Sequence, residues 1–371
     1  MSEPDAAVPV TLLTGFLGSG KTTVLNRLLR RPDMKGALVV VNEFGEVGLD
    51  HLLIEASEER FALLDNGCVC CTVRGDLVET LKDIDRRSAA GELPPVRRVL
   101  IETTGLADPA PILHTLMAEP QLSARYRLGE VVVTVDAVNG LATLQRHVEA
   151  ARQAAVADRL LVTKTDLVNP ADIAPIERRL RQLAPAAEIA FAVEGDIGSG
   201  DVAFEGGGSE GAHAERLAAA LARAEAAIAH HAHDSGCGPE CGRGGRHHHH
   251  DEHAHAHHGI QSYSFVIDKP VDWPAFAQWL DYIAVLKGED LLRMKGIVNV
   301  AGEPERPCVI HGVQHVFHPP VRLEAWPSDD RRTRLVFIVR DIPRQTIERT
   351  LIKFAAVNAA EASGPARLTA A

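Results

Sequence analysis

Along the first half of the chain, short uninterrupted apolar runs alternate with longer stretches in which apolar residues recur every three or four positions. The runs at residues 8–14, 37–42, 97–102, 130–136, 159–166 and 186–193 are rich in Val, Ile and Leu and read as buried strands. Residues 21–31 have helical spacing, and 74–87 place Leu77, Leu81 and Ile84 on one helical face. Strand alternating with helix predicts an α/β unit built on a mostly parallel sheet flanked by helices. A shorter strand-like run at 61–64, followed by the turn pair Asn66 and Gly67, falls outside that rhythm.

The pattern changes after residue 194. Residues 195–211 are rich in Gly, Ser and acids and read as a loop; residues 212–232 are Ala-rich and read as a helix. Eleven histidines and two cysteines, Cys237 and Cys241, crowd residues 230–258, an apolar-poor tract that cannot bury a core and is expected to be disordered. Beyond it the pattern reads strand 261–267, helix 272–286, strands 291–300, 308–317 and 334–340, then helix 344–354. That order suggests a smaller α+β domain with helices on one face. The expected division is a first domain over 1–194, a linker with the histidine tract over 195–259, a second domain over 260–357 and a frayed tail over 358–371.

Between the first strand and the first helix, Gly15 to Thr22 match G-x-x-x-x-G-K-[ST] in its required context, which marks a P-loop NTPase. Gly15, Gly18 and Gly20, with Ser19 and Thr23 beside them, let backbone N–H groups curl round a phosphate. Lys21 supplies charge to the β and γ oxygens, and Thr22 can ligate Mg²⁺. The third strand ends in Glu102 and runs into Thr103, Thr104 and Gly105. A carboxylate there holds Mg²⁺ or orients water, and the Gly105 N–H is placed to meet a γ-phosphate. For activating that water Glu102 ranks first and Asp50, in an acidic Gly-containing loop, second. Thr163, Lys164 and Asp166 resemble the N-K-x-D motif by which GTPases read guanine. Asp166 would accept hydrogen bonds from guanine N1 and N2, a donor pair adenine lacks, with the Lys164 stem beneath the base. Thr163 stands where that motif has Asn.

Cys68, Cys70 and Cys71 put three of the six cysteines within four positions. Such density suits a soft metal ion better than core packing. On an extended backbone the first two thiols leave on one side, and a turn at Cys70-Cys71 would bring in the third. By contrast Cys308, His311, His315 and His318 do not fit one strand face and read as packing or surface residues.

Composition narrows the partners. The chain is 46% hydrophobic and 24% charged with a formal net charge of −11, which argues against nucleic acid or an anionic membrane. No apolar run is long enough to span a bilayer and the N-terminus lacks the features of a signal peptide, so a cytoplasmic address is expected. Thiols stay reduced there, and a close cluster is then expected to bind metal or do transient thiol chemistry rather than form a structural disulfide.

Taken together, Gly15 to Thr22, Asn42 to Gly45, Gly67 to Cys71, Glu102 to Gly105 and Thr163 to Asp166 resemble the CobW-type GTPases, relatives of the hydrogenase and urease nickel-insertion GTPases. The resemblance spans residues 8–357 and includes a CobW-like C-terminal domain. It implies a GTP-hydrolysing metallochaperone whose transferred ion sits on Cys68, Cys70 and Cys71, with Glu43 as an acidic partner. Zn²⁺ suits a tetrahedral thiolate site, and Co²⁺ adopts the same geometry at lower affinity. GTP and Mg²⁺ would order the loops and complete the site, and hydrolysis would release the ion to a client protein. His247, His248, His249, His250, His253, His255, His257 and His258 would supply looser capture. The sequence names neither client nor oligomeric state, a homodimer being one option. The rival readings are a cobalt chaperone for cobalamin synthesis, a nitrile hydratase activator, a metabolite kinase or ATPase, a non-enzymatic metal buffer and, last because C-x-C-C is not the C-x-x-C spacing of thioredoxin-like sites, a redox role for the thiols.

Overall fold

The computed structural model describes residues 7–42, 61–63, 69–73, 77–197, 210–234, 257–354, 357–359 and 367–370. Glu43, Asp50, the Asn66-Gly67 turn, Cys68, Cys237, Cys241 and the histidines from His247 to His255 lie outside them. The chain divides into two compact units, Met1–Glu177 with Glu188–Gly208, and Arg178–Ala187 with Ser209–Ala371.

In chain order the first unit contains β1 (Val8–Gly15), α1 (Lys21–Leu29), β2 (Ala37–Asn42), β3 (Phe61–Leu63), β4 (Val69–Val73), α2 (Leu77–Ala89) and β5 (Arg98–Thr103). There follow α3 (Ala110–Ala118), α4 (Pro120–Ser123), β6 (Tyr126–Asp136), α5 (Gly140–Arg146), α6 (Val148–Ala155) and β7 (Arg159–Thr163). Helix α7 (Pro170–Leu183) crosses the division, and β8 (Glu188–Val193) and β9 (Asp196–Ile197) complete the unit. The sheet order is β3-β4-β2-β5-β1-β6-β7-β8-β9. Every pairing is parallel except β3 with β4 and β8 with β9. All eight residues of β1 but one are buried, as befits a strand covered on both faces. Val24, Leu25 and Leu28 of α1 close one face over Leu13, Val39, Leu100 and Leu161.

In the second unit come α8 (Glu210–Asp234), β10 (Ile260–Ile267), α9 (Trp273–Lys287), β11 (Leu291–Val298), β12 (Cys308–Val313), β13 (Val316–Phe317) and β14 (Val321–Arg322). β15 (Thr333–Arg340), α10 (Arg344–Phe354), β16 (Val357–Ala359) and β17 (Arg367–Ala370) follow. The sheet order is β13-β12-β11-β15-β10-β17-β16, with β14 beside β12, and it is antiparallel except where β10 meets β17. The strands sort their side chains by alternation. Leu335, Phe337 and Val339 face Phe276 and Trp279 of α9 and Ile347 of α10, while Val336 meets Leu217 and Leu221 of α8.

Helices therefore cover both faces of this sheet, not the single face expected. The Ala-rich helix read as part of a linker belongs to the second unit, its Ala218, Ala220 and Ala224 buried against it. The histidine tract is also more ordered at its ends than expected. Helix α8 runs on through His230, His231 and His233, and His257 and His258 lie in a short 3₁₀ turn leading into β10. The expected strand over 308–317 is a hairpin, β12 and β13, turned at Gln314 with φ 51°. No helix among the described residues is long and apolar enough to cross a membrane.

Candidate functional site

The phosphate loop leaves the carboxyl end of β1, the central strand, with β5 and β6 on either side. Gly15 has φ 145°, and a Cβ there would lie 2.3 Å from the Thr134 hydroxyl, so only glycine fits. Gly18 and Gly20 also have positive φ, and Gly20 caps α1. Lys21 Nζ donates to Gly15 O at 2.9 Å and Phe16 O at 3.2 Å, which holds the ammonium over the loop. Ser19 is buried, its hydroxyl 2.6 Å from that of Thr134 on β6. Thr23 is exposed in the first turn of α1.

Glu102, at the end of β5, is buried, and Thr22 Oγ1 donates to its Oε1 at 2.9 Å. Next to it Thr103 donates to the Thr14 hydroxyl at 2.7 Å and ties β5 to β1. Two hard oxygen donors at this separation match what Mg²⁺ selects. Gly105 follows, pressed so close to the phosphate loop that a Cβ would lie 2.6 Å from Leu17 N.

At the far side of the loop, Thr163 is buried and donates to Ser19 O at 2.7 Å. Lys164 adopts φ 57°, and its Nζ donates to Asp136 Oδ2 at 2.8 Å. Asp136 also accepts from Val138 N at 2.7 Å and Asn139 Nδ2 at 3.2 Å. Burial would raise the Asp136 carboxyl, but the Lys164 hydrogen bond, with those from Val138 and Asn139, outweighs it and holds the group below the usual carboxylate range. Asp166 is exposed in the 3₁₀ turn Thr165–Leu167, open to a ligand. Asp136, Thr134 and Gln153 were not singled out by motif reading; Asp136 has one sequence signal, a carboxylate closing an apolar strand.

The thiol motif differs in shape from the expectation. Cys70 and Cys71 are consecutive residues of β4, an extended strand hydrogen-bonded to β2 on one side and β3 on the other, not a turn. Neighbours on both sides hold the backbone extended through both cysteines where a turn was expected. Cys71 is level with Val40 of β2, which is level with Ile101 of β5. Two inter-strand steps, about 10 Å, therefore separate the thiol strand's backbone from that of the strand bearing Glu102. Because β4 runs parallel to β2, its carboxyl end, not its cysteine end, lies at the edge from which the phosphate loop leaves.

Among the described residues no group of three or more His, Cys, Asp or Glu side chains could hold a metal ion. Cys308 is buried in β12, and burial pushes its thiol up to about 11, which disfavours the thiolate a metal needs. His311 lies against His213 of α8 with ring centroids 5.6 Å apart, and His318 Nδ1 is 2.9 Å from Pro319 O.

Residues 9–191 match the family model "CobW/HypB/UreG, nucleotide-binding domain", and residues 260–355 match "Cobalamin synthesis protein cobW C-terminal domain". The chain is 30% identical over 340 residues to the zinc chaperone YjiA of Escherichia coli, covering 92% of this chain and 96% of that one. The chain belongs to the CobW/HypB/UreG family. Another relative is the zinc chaperone CobW of a Sinorhizobium species, 28% identical over 366 residues, with 89% of this chain and 92% of that one covered. The crystal structure of Zn(II)-bound YjiA GTPase superposes with a TM-score of 0.68 at 29% identity, covering 94% of this chain and 99% of that one. In this CobW-family chain, then, the phosphate loop, Glu102 and the Thr163–Asp166 segment lie in the matched nucleotide-binding domain, and the antiparallel sheet carries the matched C-terminal domain.

Proposed function

We propose that this chain is a GTP-hydrolysing zinc chaperone, which takes Zn²⁺ as cargo on Cys68, Cys70 and Cys71, with Glu43, when β4 leaves its extended form at Cys70-Cys71, since consecutive strand residues face opposite sides of a sheet, and yields it to a client protein when GTP is hydrolysed. The observation that carries the reading is the strand register: β2 is hydrogen-bonded both to β4, with its two cysteines, and to β5, with Glu102. A change at the nucleotide edge then has a hydrogen-bonded route to the thiol strand through one intervening strand. The likeness to two zinc chaperones supports zinc over cobalt as cargo. The cytoplasm, where thiols stay reduced, is the address that suits such a site.

Within the nucleotide site each residue has a chemical part. Thr22 and Glu102 would hold Mg²⁺, which when bound supplies positive charge to the β and γ phosphate oxygens. Lys21 adds a second charge, and the glycine-opened loop presents its N–H groups. Asp166 accepts from guanine N1 and N2, and Lys164, held by Asp136, lies beneath the base. The histidine tract would offer weaker, borderline-metal binding.

Linkage supplies the test. If GTP tightens zinc binding, zinc tightens GTP binding by the same factor. A non-hydrolysable GTP analogue would be titrated into the full chain with and without equimolar Zn²⁺, and again with Co²⁺. Tighter binding with Zn²⁺, abolished by C68S, C70S and C71S together, is the expected result. Equal affinities in every arm would sink the coupling.

A further inference from the structure

Helix α6 reaches the loop after β5 through one side chain. Gln153 is 1% exposed, and its Nε2 donates to Gly105 O at 3.2 Å and to Ala107 O at 3.0 Å. Two carbonyl acceptors use both amide hydrogens and fix which way round the amide lies. Its Oε1 is buried with no hydrogen-bond partner among the described residues. An apolar side chain of similar length would fill the space without that desolvation cost, but would leave the Gly105 and Ala107 carbonyls without their donor. Packing alone therefore does not account for glutamine at this position.

What the two bonds do is orient peptide planes. In a trans peptide the C=O of one residue and the N–H of the next point opposite ways. With the Gly105 and Ala107 carbonyls drawn toward α6, the Leu106 and Asp108 N–H groups are turned away from that helix. The same segment is a tight turn, Ala107 N donating to Thr104 O at 3.1 Å, and Asp108 Oδ1 accepts from Ala110 N at 2.9 Å. Its Gly105 abuts Leu17 of the phosphate loop. At the start of α6, His147 stacks on Phe16 of that loop with ring centroids 4.6 Å apart. One helix thus braces both loops of the nucleotide site.

We propose that Gln153 is a positioning residue for nucleotide hydrolysis. It clamps the Thr104–Ala107 turn so that the turn's backbone donors meet the terminal phosphate of a nucleoside triphosphate and discriminate it from a diphosphate. The inference rests on the reading of the Gly105 loop as the γ-phosphate sensor. Gln153 itself touches no nucleotide, and its unpaired Oε1 is the stability cost of holding the loop in this orientation.

The test uses the full chain as wild type, Gln153→Met and Gln153→Glu, measuring affinity for GDP and for a non-hydrolysable GTP analogue, kcat and KM for GTP, and thermal unfolding. Methionine fills the volume and removes the unpaired acceptor; glutamate keeps the shape and removes the amide donors. Both variants leave the Gly105 and Ala107 carbonyls without their donor, so the expected result is a modest fall in melting temperature in each, with GDP affinity held and the triphosphate-over-diphosphate preference falling about tenfold as two neutral hydrogen bonds are lost. An unchanged preference in both variants overturns the proposal. So does a parallel fall in stability and in affinity for both nucleotides, the signature of packing alone. A wild type that neither hydrolyses GTP nor distinguishes the two nucleotides overturns the reading of the loop itself, and the proposal with it.

Discussion

Thr163 donates its hydroxyl to the Ser19 carbonyl at 2.7 Å, so the residue that opens the base-reading segment also braces the phosphate loop. The departure from asparagine at this position has a physical partner. Thr163→Val keeps the shape and leaves a buried carbonyl unpaired, which costs about 1–3 kcal/mol. Denaturant unfolding should show that loss, and nucleotide titration should show weaker binding of GTP and GDP alike, because the brace acts on the loop both share.

Glu102 and Thr22 should act as a pair. Glu102→Gln keeps an acceptor for Thr22 but removes the carboxylate charge, Thr22→Ala removes the hydroxyl of the 2.9 Å contact, and each is expected to lower kcat by about 10²-fold or more. Turnover measured across a Mg²⁺ titration should shift to higher Mg²⁺ in both variants. The double variant should lose little beyond either single change, since neighbouring groups that act together are not additive.

The Asp136 carboxyl sets a pH dependence with a definite sign. Its folded value lies below the ordinary carboxylate range, so its contribution to stability is full above the unfolded value, about 3.9, and is lost as pH falls through the folded one. Asp136→Asn removes that contribution. Urea unfolding from pH 6 downward should then show wild type losing stability more steeply than the variant, with the two curves converging in acid.

Cys308 tests the assignment of the metal ligands from the other side. Its thiol is buried and raised to about 11, so Cys308→Ser should leave zinc stoichiometry unchanged while burying a hydroxyl at a cost of about 1–3 kcal/mol. Metal analysis of the purified variant beside the triple Cys68, Cys70 and Cys71 serine variant separates the two thiol populations.

Much of the first unit was legible from its sequence because burial on both sheet faces leaves continuous apolar runs, as at Ala37–Asn42, and because the phosphate loop has a motif of its own. The helix at Arg344–Phe354 was equally plain from its spacing. What escaped depends on pairing at a distance. The extended backbone at Cys70 and Cys71 is imposed by β2 and β3, and nothing local announces it. The turn at Gln314 lacks the Asn-Gly signature such hairpins usually carry. At the site, Asp136, Thr134 and Gln153 are tied to the nucleotide loops and to Lys164 by residues 28 to 120 positions away. Single hydrogen bonds of that kind leave no periodicity to read.

Helix α8 packs on the second unit's sheet, and β10 is a strand of the same sheet, so the histidine tract between them begins and ends on one folded body. It is a closed loop with two fixed anchors rather than a free tail. Because both ends of the tract are held, its imidazoles can reach no farther from that unit than the length of chain between Asp234 and His257 allows. If the tract takes metal as proposed, that metal is tied to the second unit through α8 and β10.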